Sequence, residues 1–289
     1  MARRIPLLAL LLGISLPQPA TAESLTVGGT VRTYQLFVPP GGRGPRPTVV
    51  LLHGRWGWGG QLRRSSGFDR VAARRGFVAV YPDGLAHRWN DGRQPDRNGA
   101  NDAGFLLALI DRLIAGKIAD PRRIYLGGHS NGAILAERMA CEHADRLAGF
   151  FLVAGAQPAN LPCHPSRALP AIFFHGTADR LVPYAGGAAG DDRGRVLSFD
   201  QTVALWTRAN GCGGAKPPQL LDRVPSDATA AEIVDYAGCR APLRRVTLRG
   251  AGHGWPGAHN LVLRMFTGPE TAEIDASEGI GEFFTAARP

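Results

Sequence analysis

The sequence predicts an α/β fold of a single domain, a mostly parallel central sheet with helices on both faces, and three observations carry that expectation. Short apolar runs of the kind that fill fully buried parallel strands recur along the chain: Thr48 to Leu52 (TVVLL), Phe77 to Tyr81 (FVAVY), Leu147 to Val153 (LAGFFLV) and Ala171 to Phe174 (AIFF). Helix-like runs alternate with them, which is the pattern of parallel α/β proteins. Most of the strands end in glycine-containing turns, His53-Gly54, Pro82-Asp83-Gly84 and His175-Gly176, where the chain must leave the sheet.

The first residues read as a leader. Arg3 and Arg4 make a positive start, Ile5 to Leu16 an apolar core, and Ala20-Thr21-Ala22 an AxA-type cleavage site. Residues 1–22 are thus expected to be a signal peptide, the folded domain to occupy residues 23–289, and the protein to be secreted or periplasmic. The apolar core is shorter than the roughly 20 residues that span a bilayer, so no membrane association is expected. The formal charge of +9 includes Arg3 and Arg4; the other arginines are scattered among acidic residues, and lysine occurs only at Lys117 and Lys216. Without a dense basic run, no nucleic-acid partner is expected. Four cysteines in an exported chain read as two disulfides, and their separations favour Cys141 with Cys163 and Cys212 with Cys239. The absence of CxxC and of paired-histidine spacing speaks against a metal. No cofactor is called for.

Leu25 to Val38 alternates with period two around Gly28-Gly29 and predicts an antiparallel edge hairpin. After the buried strand Thr48 to Leu52 comes the loop Arg55-Trp56-Gly57-Trp58-Gly59-Gly60. Phe68 to Arg75 predicts a helix, Phe77 to Tyr81 a strand, and Asp102 to Ile114 an amphipathic helix with Asp102 at its start. Two more strands, Leu147 to Val153 and Ala171 to Phe174, are followed by a Gly- and Asp-rich loop (186–194), a helix from Phe199 to Ala209 and a segment from Gly213 to Ala230 that reads as an insertion. Leu243 to Leu248 is the last expected strand and Ala272 to Ala287 the closing helix.

The chemistry is concentrated at Gly128-His129-Ser130-Asn131-Gly132. This GxSxG lies between an apolar strand-like run (Arg123 to Gly127) and a helix-like run (Ala133 to Cys141). A serine on a sharp strand-to-helix turn occupies strained backbone with neighbours pressed close on either side, and glycine two residues away tolerates that crowding. Ser130 is the candidate nucleophile, and the Asn131 N–H one candidate donor to an oxyanion. The glycine-rich turn after Leu52 supplies the other, with Arg55 N–H preferred over Trp56 N–H.

Two further residues complete a constellation. Asp179 follows the strand Ala171 to Phe174, and His253 follows the last strand within Gly250-Ala251-Gly252-His253-Gly254. Serine, then aspartate, then histidine, each in a loop after its own strand, is the chain order of the α/β-hydrolase triad. In that arrangement His253 is the base and Asp179 orients it. Position disfavours the other histidines, His129, His175 and His259, and the other acids, Asp83, Asp191 and Asp200.

The segments LLHG, GGHSNG, HGTADRLVPY, GAGHGWPG and IDASEGIGEFF, with WND and NDAGFLLALID, resemble secreted α/β-hydrolase esterases of the polyhydroxybutyrate depolymerase and feruloyl esterase type. The resemblance implies an α/β-hydrolase fold and a serine carboxylic-ester hydrolase, and carries the same three roles onto Ser130, Asp179 and His253. Its expected partner is an ester substrate: hydroxycinnamoyl or acetyl esters on polysaccharide, or short 3-hydroxyalkanoate esters. The loop RWGWGG is bulkier than the family's small-residue loops. Polymer-degrading members often add a substrate-binding domain not seen in this sequence, so weak adsorption to solid polyester is expected. Trp56, Trp58, Trp89 and Trp255 all fall in loops at the expected catalytic edge, where flat rings could stack on a sugar or an aromatic acyl group. Competing readings are a prolyl-oligopeptidase-type peptidase, which shares the triad order, and a non-catalytic hydrolase fold used for binding.

Overall fold

The structure, a computed structural model, describes residues 21–41, 44–94, 100–190, 194–258 and 267–287. The expected leader up to residue 20, and with it Asp191 and His259, lies outside the described residues. Strands β1 (Thr21–Val27) and β2 (Thr30–Phe37) form the expected hairpin, turned at Gly28 and Gly29 with φ of 55° and 80°. Both angles are those of the two-residue turn that matches strand twist and favours glycine. β1 begins two residues before the expected start of the mature chain.

The parallel strands are β3 (Arg46–Leu52), β4 (Val78–Pro82), β5 (Ala119–His129), β6 (Gly149–Val153), β7 (Ala171–Gly176) and β13 (Leu243–Arg249). A short antiparallel ribbon, β8 (Gly187–Ala189) with β9 (Gly194–Val196), occupies the loop after β7. β10 (Gly214–Ala215), β11 (Gln219–Leu221) and β12 (Ala230–Ala237) extend the sheet beyond β13. Its order is β1-β2-β4-β3-β5-β6-β7-β13-β12-β10, with β11 also on β12. β1, β2 and the strands from β12 outward pair antiparallel, and the centre is parallel.

Gly213 to Ala230, expected as an insertion, therefore contributes two edge strands, and residues 230–237 form a strand that the sequence reading passed over. AAEIVDYA is only half-buried, so it lacks the continuous apolar signal of the central strands.

Six described helices divide between the faces. α1 (Gly59–Ser66), α2 (Phe68–Arg75) and α6 (Ala276–Ala286) cover one face through Leu62, Phe68, Val71, Ile280 and Phe284. α3 (Asp102–Ala115), α4 (Asn131–Glu142) and α5 (Phe199–Ala209) cover the other through Phe105, Leu109, Met139 and Trp206. Sheet residues with both faces covered are buried throughout β4, β6 and β7, which explains why these strands read as unbroken apolar runs.

Asp102 lies in the first turn of α3 as expected, while Asn101 caps it by accepting from Gly104 N–H. The Asp102 carboxylate is buried against Arg32 at 2.6 Å and tethers the edge hairpin to α3. Disulfides join Cys141 to Cys163 and Cys212 to Cys239.

Candidate active site

Chain order places β4 on one side of β3 and β5 on the other. Ligand crevices of open α/β sheets form where the order reverses in this way, beyond the carboxyl ends of the strands. Leu52 at the end of β3 pairs with Gly128 near the end of β5, so the loop after β3 and the turn after β5 are neighbours there.

Ser130 occupies that turn with φ 56° and ψ −121°, a conformation a non-glycine residue adopts only when its surroundings enforce it. Val153 O accepts its N–H at 2.9 Å, and its own carbonyl accepts from Ile134 at 3.0 Å in the first turn of α4. A Cβ on Gly128 would stand 2.4 Å from Leu52 O, and one on Gly132 would stand 2.5 Å from both Leu52 O and His53 O. The two glycines of the motif therefore let α4 and β5 close against β3.

β7 and β13 are adjacent and parallel, so the loops that follow them meet. His253 Nδ1 lies 2.7 Å from Asp179 Oδ2, with both residues buried. Asp179 Oδ1 accepts the N–H groups of Leu181 and Val182, each at 2.9 Å. Burial pushes the Asp179 carboxyl up, but the charge and hydrogen bond of His253, then His175 and the Val182 N–H, outweigh it and hold it below the usual carboxylate range. With Nδ1–H donated to the carboxylate, Nε2 of His253 is its basic nitrogen.

The other candidates are otherwise engaged. His175 donates from Nε2 to Val182 O at 2.8 Å and is buried. His129 contacts the His253 carbonyl through Nε2 at 2.7 Å; burial, then repulsion from His253, lowers its pKa to about 4, so it is neutral at pH 7. Asp83 accepts from Gly59 N–H and Thr33 O–H. Asp200 meets Tyr184 O–H and Arg245.

Ser130 and His253 line one cavity of about 490 Å³, with Arg55 and Trp56 on its wall. Leu62, Ile134, Leu181 and Val182 give it an apolar side. The Asn131 N–H belongs to the first turn of α4, where amides have no carbonyl partner within the helix. Trp56 N–H donates to His87 O at 2.8 Å.

The four tryptophans part company. Trp56 lines the cavity and is 71% exposed, whereas Trp58 faces a neighbouring cleft. Trp89 and Trp255 are interior, contrary to the expectation that they flank the substrate. Trp89 packs over His53 with ring centroids 4.9 Å apart and donates from Nε1 to His53 O at 2.8 Å. Trp255 packs on Phe151 and donates from Nε1 to Ser277 Oγ of α6 at 3.2 Å.

The sequence reading also missed a buried polar network behind the nucleophile. Asn131 Oδ1 accepts Trp89 N–H at 2.7 Å, and its Nδ2 donates to Asp91 Oδ2 at 2.6 Å. Asp91 in turn pairs with Arg93 at 2.8 Å. The signal was the polar cluster Trp89-Asn90-Asp91-Gly92-Arg93 in an otherwise irregular excursion. Among the described residues, Glu137, Cys141 and Cys163 bring potential metal-ligand atoms within 4.8 Å of one another, but both sulfurs are in the disulfide and none of the three lines the cavity.

A parallel sheet with the serine turn at its switch point defines an α/β-hydrolase. Residues 32–160 match the family model described as Esterase PHB depolymerase. NocK of Nocardia uniformis subsp. tsuyamanensis, an esterase by name, is 31% identical over 258 residues, which cover 82% of this chain and 74% of that protein. Feruloyl esterase B of Piromyces equi is 26% identical over 227 residues, 72% of this chain but 39% of the relative. An acetyl xylan esterase from Aspergillus awamori shares the fold at a TM-score of 0.61, covering 92% of this chain and 99% of that one at 15% identity. The chain belongs to the esterase family of the polyhydroxybutyrate depolymerases and is a carboxylic-ester hydrolase.

Proposed function

We propose that this protein is an exported serine esterase that works through an acyl-enzyme. The observation that carries the reading is the 2.7 Å contact of the buried Asp179 with His253, which lines the same cavity as Ser130. Ser130 Oγ attacks the ester carbonyl carbon while its proton passes to Nε2 of His253, and Asp179 stabilises the imidazolium. The N–H groups of Asn131 and Arg55 hold the oxyanion. Collapse expels the alcohol, which takes the proton from His253; a water activated by the same nitrogen then hydrolyses the acyl group from Ser130.

The substrates we assign are hydroxycinnamoyl or acetyl esters on polysaccharide, or short 3-hydroxyalkanoate esters. Relatives named feruloyl esterase and poly(3-hydroxyalkanoate) depolymerase support these classes. The apolar wall and the cavity of about 490 Å³ favour an acyl group larger than acetyl. Export is supported by the leader-like start and the two disulfides. A fluorophosphonate probe should label the wild type and leave Ser130→Ala unlabelled; a folded wild type that resists labelling refutes the mechanism. In a panel compared by kcat/KM, methyl ferulate or methyl 3-hydroxybutyrate should exceed methyl acetate, and the reverse order would overturn the preference for an acyl group larger than acetyl.

A further inference from the structure

A second cleft of about 290 Å³ is lined in part by the same loop that contributes to the catalytic cavity. Gly54 to Gly57 line the catalytic cavity, and the next residue, Trp58, lines the cleft. Its other wall is the segment Gly84 to His87, and its floor carries Arg32, Thr33 and Asp83. The walls are fixed to each other: His87 O accepts Trp56 N–H at 2.8 Å, and the His87 ring contacts Gly57 O through Nδ1 at 3.1 Å. Gly84 N–H donates to His53 Nε2 at 2.9 Å. Ala86 and His87 are held at φ 49° and 57°, and adjacent non-glycine residues in this region mark a segment whose surroundings impose its shape, as happens at ligand sites.

The chemistry of the cleft selects among ligands. The Arg32 guanidinium is matched by Asp102 at 2.6 Å, so the floor has no spare cation for a phosphate or carboxylate. The Asp83 oxygens already accept from Gly59 N–H and Thr33 O–H, which argues against a metal. What remains is a flat indole, 43% exposed, with His87 at its edge and Arg64 at 5.9 Å, beside the Asp83 carboxylate and the Thr33 hydroxyl oxygen, which keep lone pairs to accept from further hydroxyls. A sugar ring carries an apolar C–H face and a rim of hydroxyls, and this surface complements both.

We propose that the cleft is a saccharide subsite, with Trp58 as its stacking platform, for the alcohol side of an ester whose acyl group sits in the catalytic cavity. This rests on the reading of the enzyme as an esterase of polysaccharide side chains. The test compares the hydroxycinnamoyl ester of an arabinoxylan oligosaccharide with the methyl ester of the same acid. In Trp58→Ala the ratio of kcat/KM for the saccharide ester over the methyl ester should fall about threefold to tenfold, the worth of one aromatic contact, with the loss in KM. An unchanged ratio in a variant of unaltered melting temperature overturns the subsite. A second arm is independent of turnover: calorimetric titration of the unesterified oligosaccharide should show binding to the wild type that Trp58→Ala weakens, and equal binding to both refutes the proposal. Wild type that cleaves the methyl ester but shows no preference for the saccharide ester removes the subsite while leaving the esterase reading intact; cleavage of neither ester removes the esterase reading itself.

Discussion

Asp179 is the residue on which the candidate site turns, because it orders two things at once. One carboxylate oxygen fixes its own loop through two backbone N–H groups, and the other fixes the tautomer of His253. Substitution by asparagine should keep the loop bonds yet hold the imidazole in the wrong tautomer, so kcat for any cleaved ester should fall by about 10⁴. Steady-state kinetics on Asp179→Asn, with circular dichroism to confirm the fold, checks this; a loss under tenfold would remove Asp179 from the role. The turns that hold Ser130, Asp179 and His253 were all legible in the sequence, since each contains glycine and follows a strand-like run. The different fates of the four tryptophans were not. Trp89 and Trp255 fall in loops as Trp56 does, and packing against His53, Phe151 and α6 buries them.

Helix α4 carries one carboxyl that is fully buried, Glu137, on the side that faces α5. It accepts a hydrogen bond from Trp206 Nε1 at 2.8 Å, and its other oxygen has no partner among the described residues. Burial raises its pKa from 4.5 to about 8, only partly offset by the Trp206 hydrogen bond. A carboxyl with a raised folded-state pKa contributes stability that is complete below the unfolded value and is lost as pH rises through the folded one. The melting temperature should therefore decline between about pH 5 and pH 8. Glu137→Gln keeps an acceptor for Trp206 and has no proton to lose, so it should flatten that decline and stabilise the protein by roughly 3 kcal/mol at pH 7. Thermal melts of both proteins across this range check the sign; parallel curves would show that Glu137 does not titrate in the folded state.

The whole domain is tied at its far edge by the Cys212–Cys239 disulfide, which links the end of α5 to the end of β12. β12 pairs antiparallel with β13, the strand that leads to His253. Removing the bridge as Cys212→Ala with Cys239→Ala should cost about 3 kcal/mol of stability. Because the bridge braces the strand beside β13, kcat should also drop at temperatures well below the new melting point. Urea titration measures the first effect and a temperature series of kcat the second; lost stability with unaltered kcat would confine the bridge to a structural role.

Much of this molecule was decided locally. Strands covered on both faces are largely apolar, so the central sheet announced itself residue by residue, and the crowding at the serine turn admits glycine on either side, so that turn did too. The order serine, aspartate, histidine then followed from which strand each loop succeeds. The exposed strands β10 and β11, the half-buried β12 and the short ribbon β8–β9 were hidden because none of them carries a continuous apolar run. The network of Trp89, Asp91 and Arg93 with Asn131, and the hydrogen bond from Trp56 N–H to His87 O, were hidden because they join residues far apart along the chain. Sequence alone settled which residues must tolerate close approach or complete burial. Only the tertiary structure settled which polar groups were already spent on one another, because a hydrogen-bond partner is a property of a place in space and not of a position in the chain.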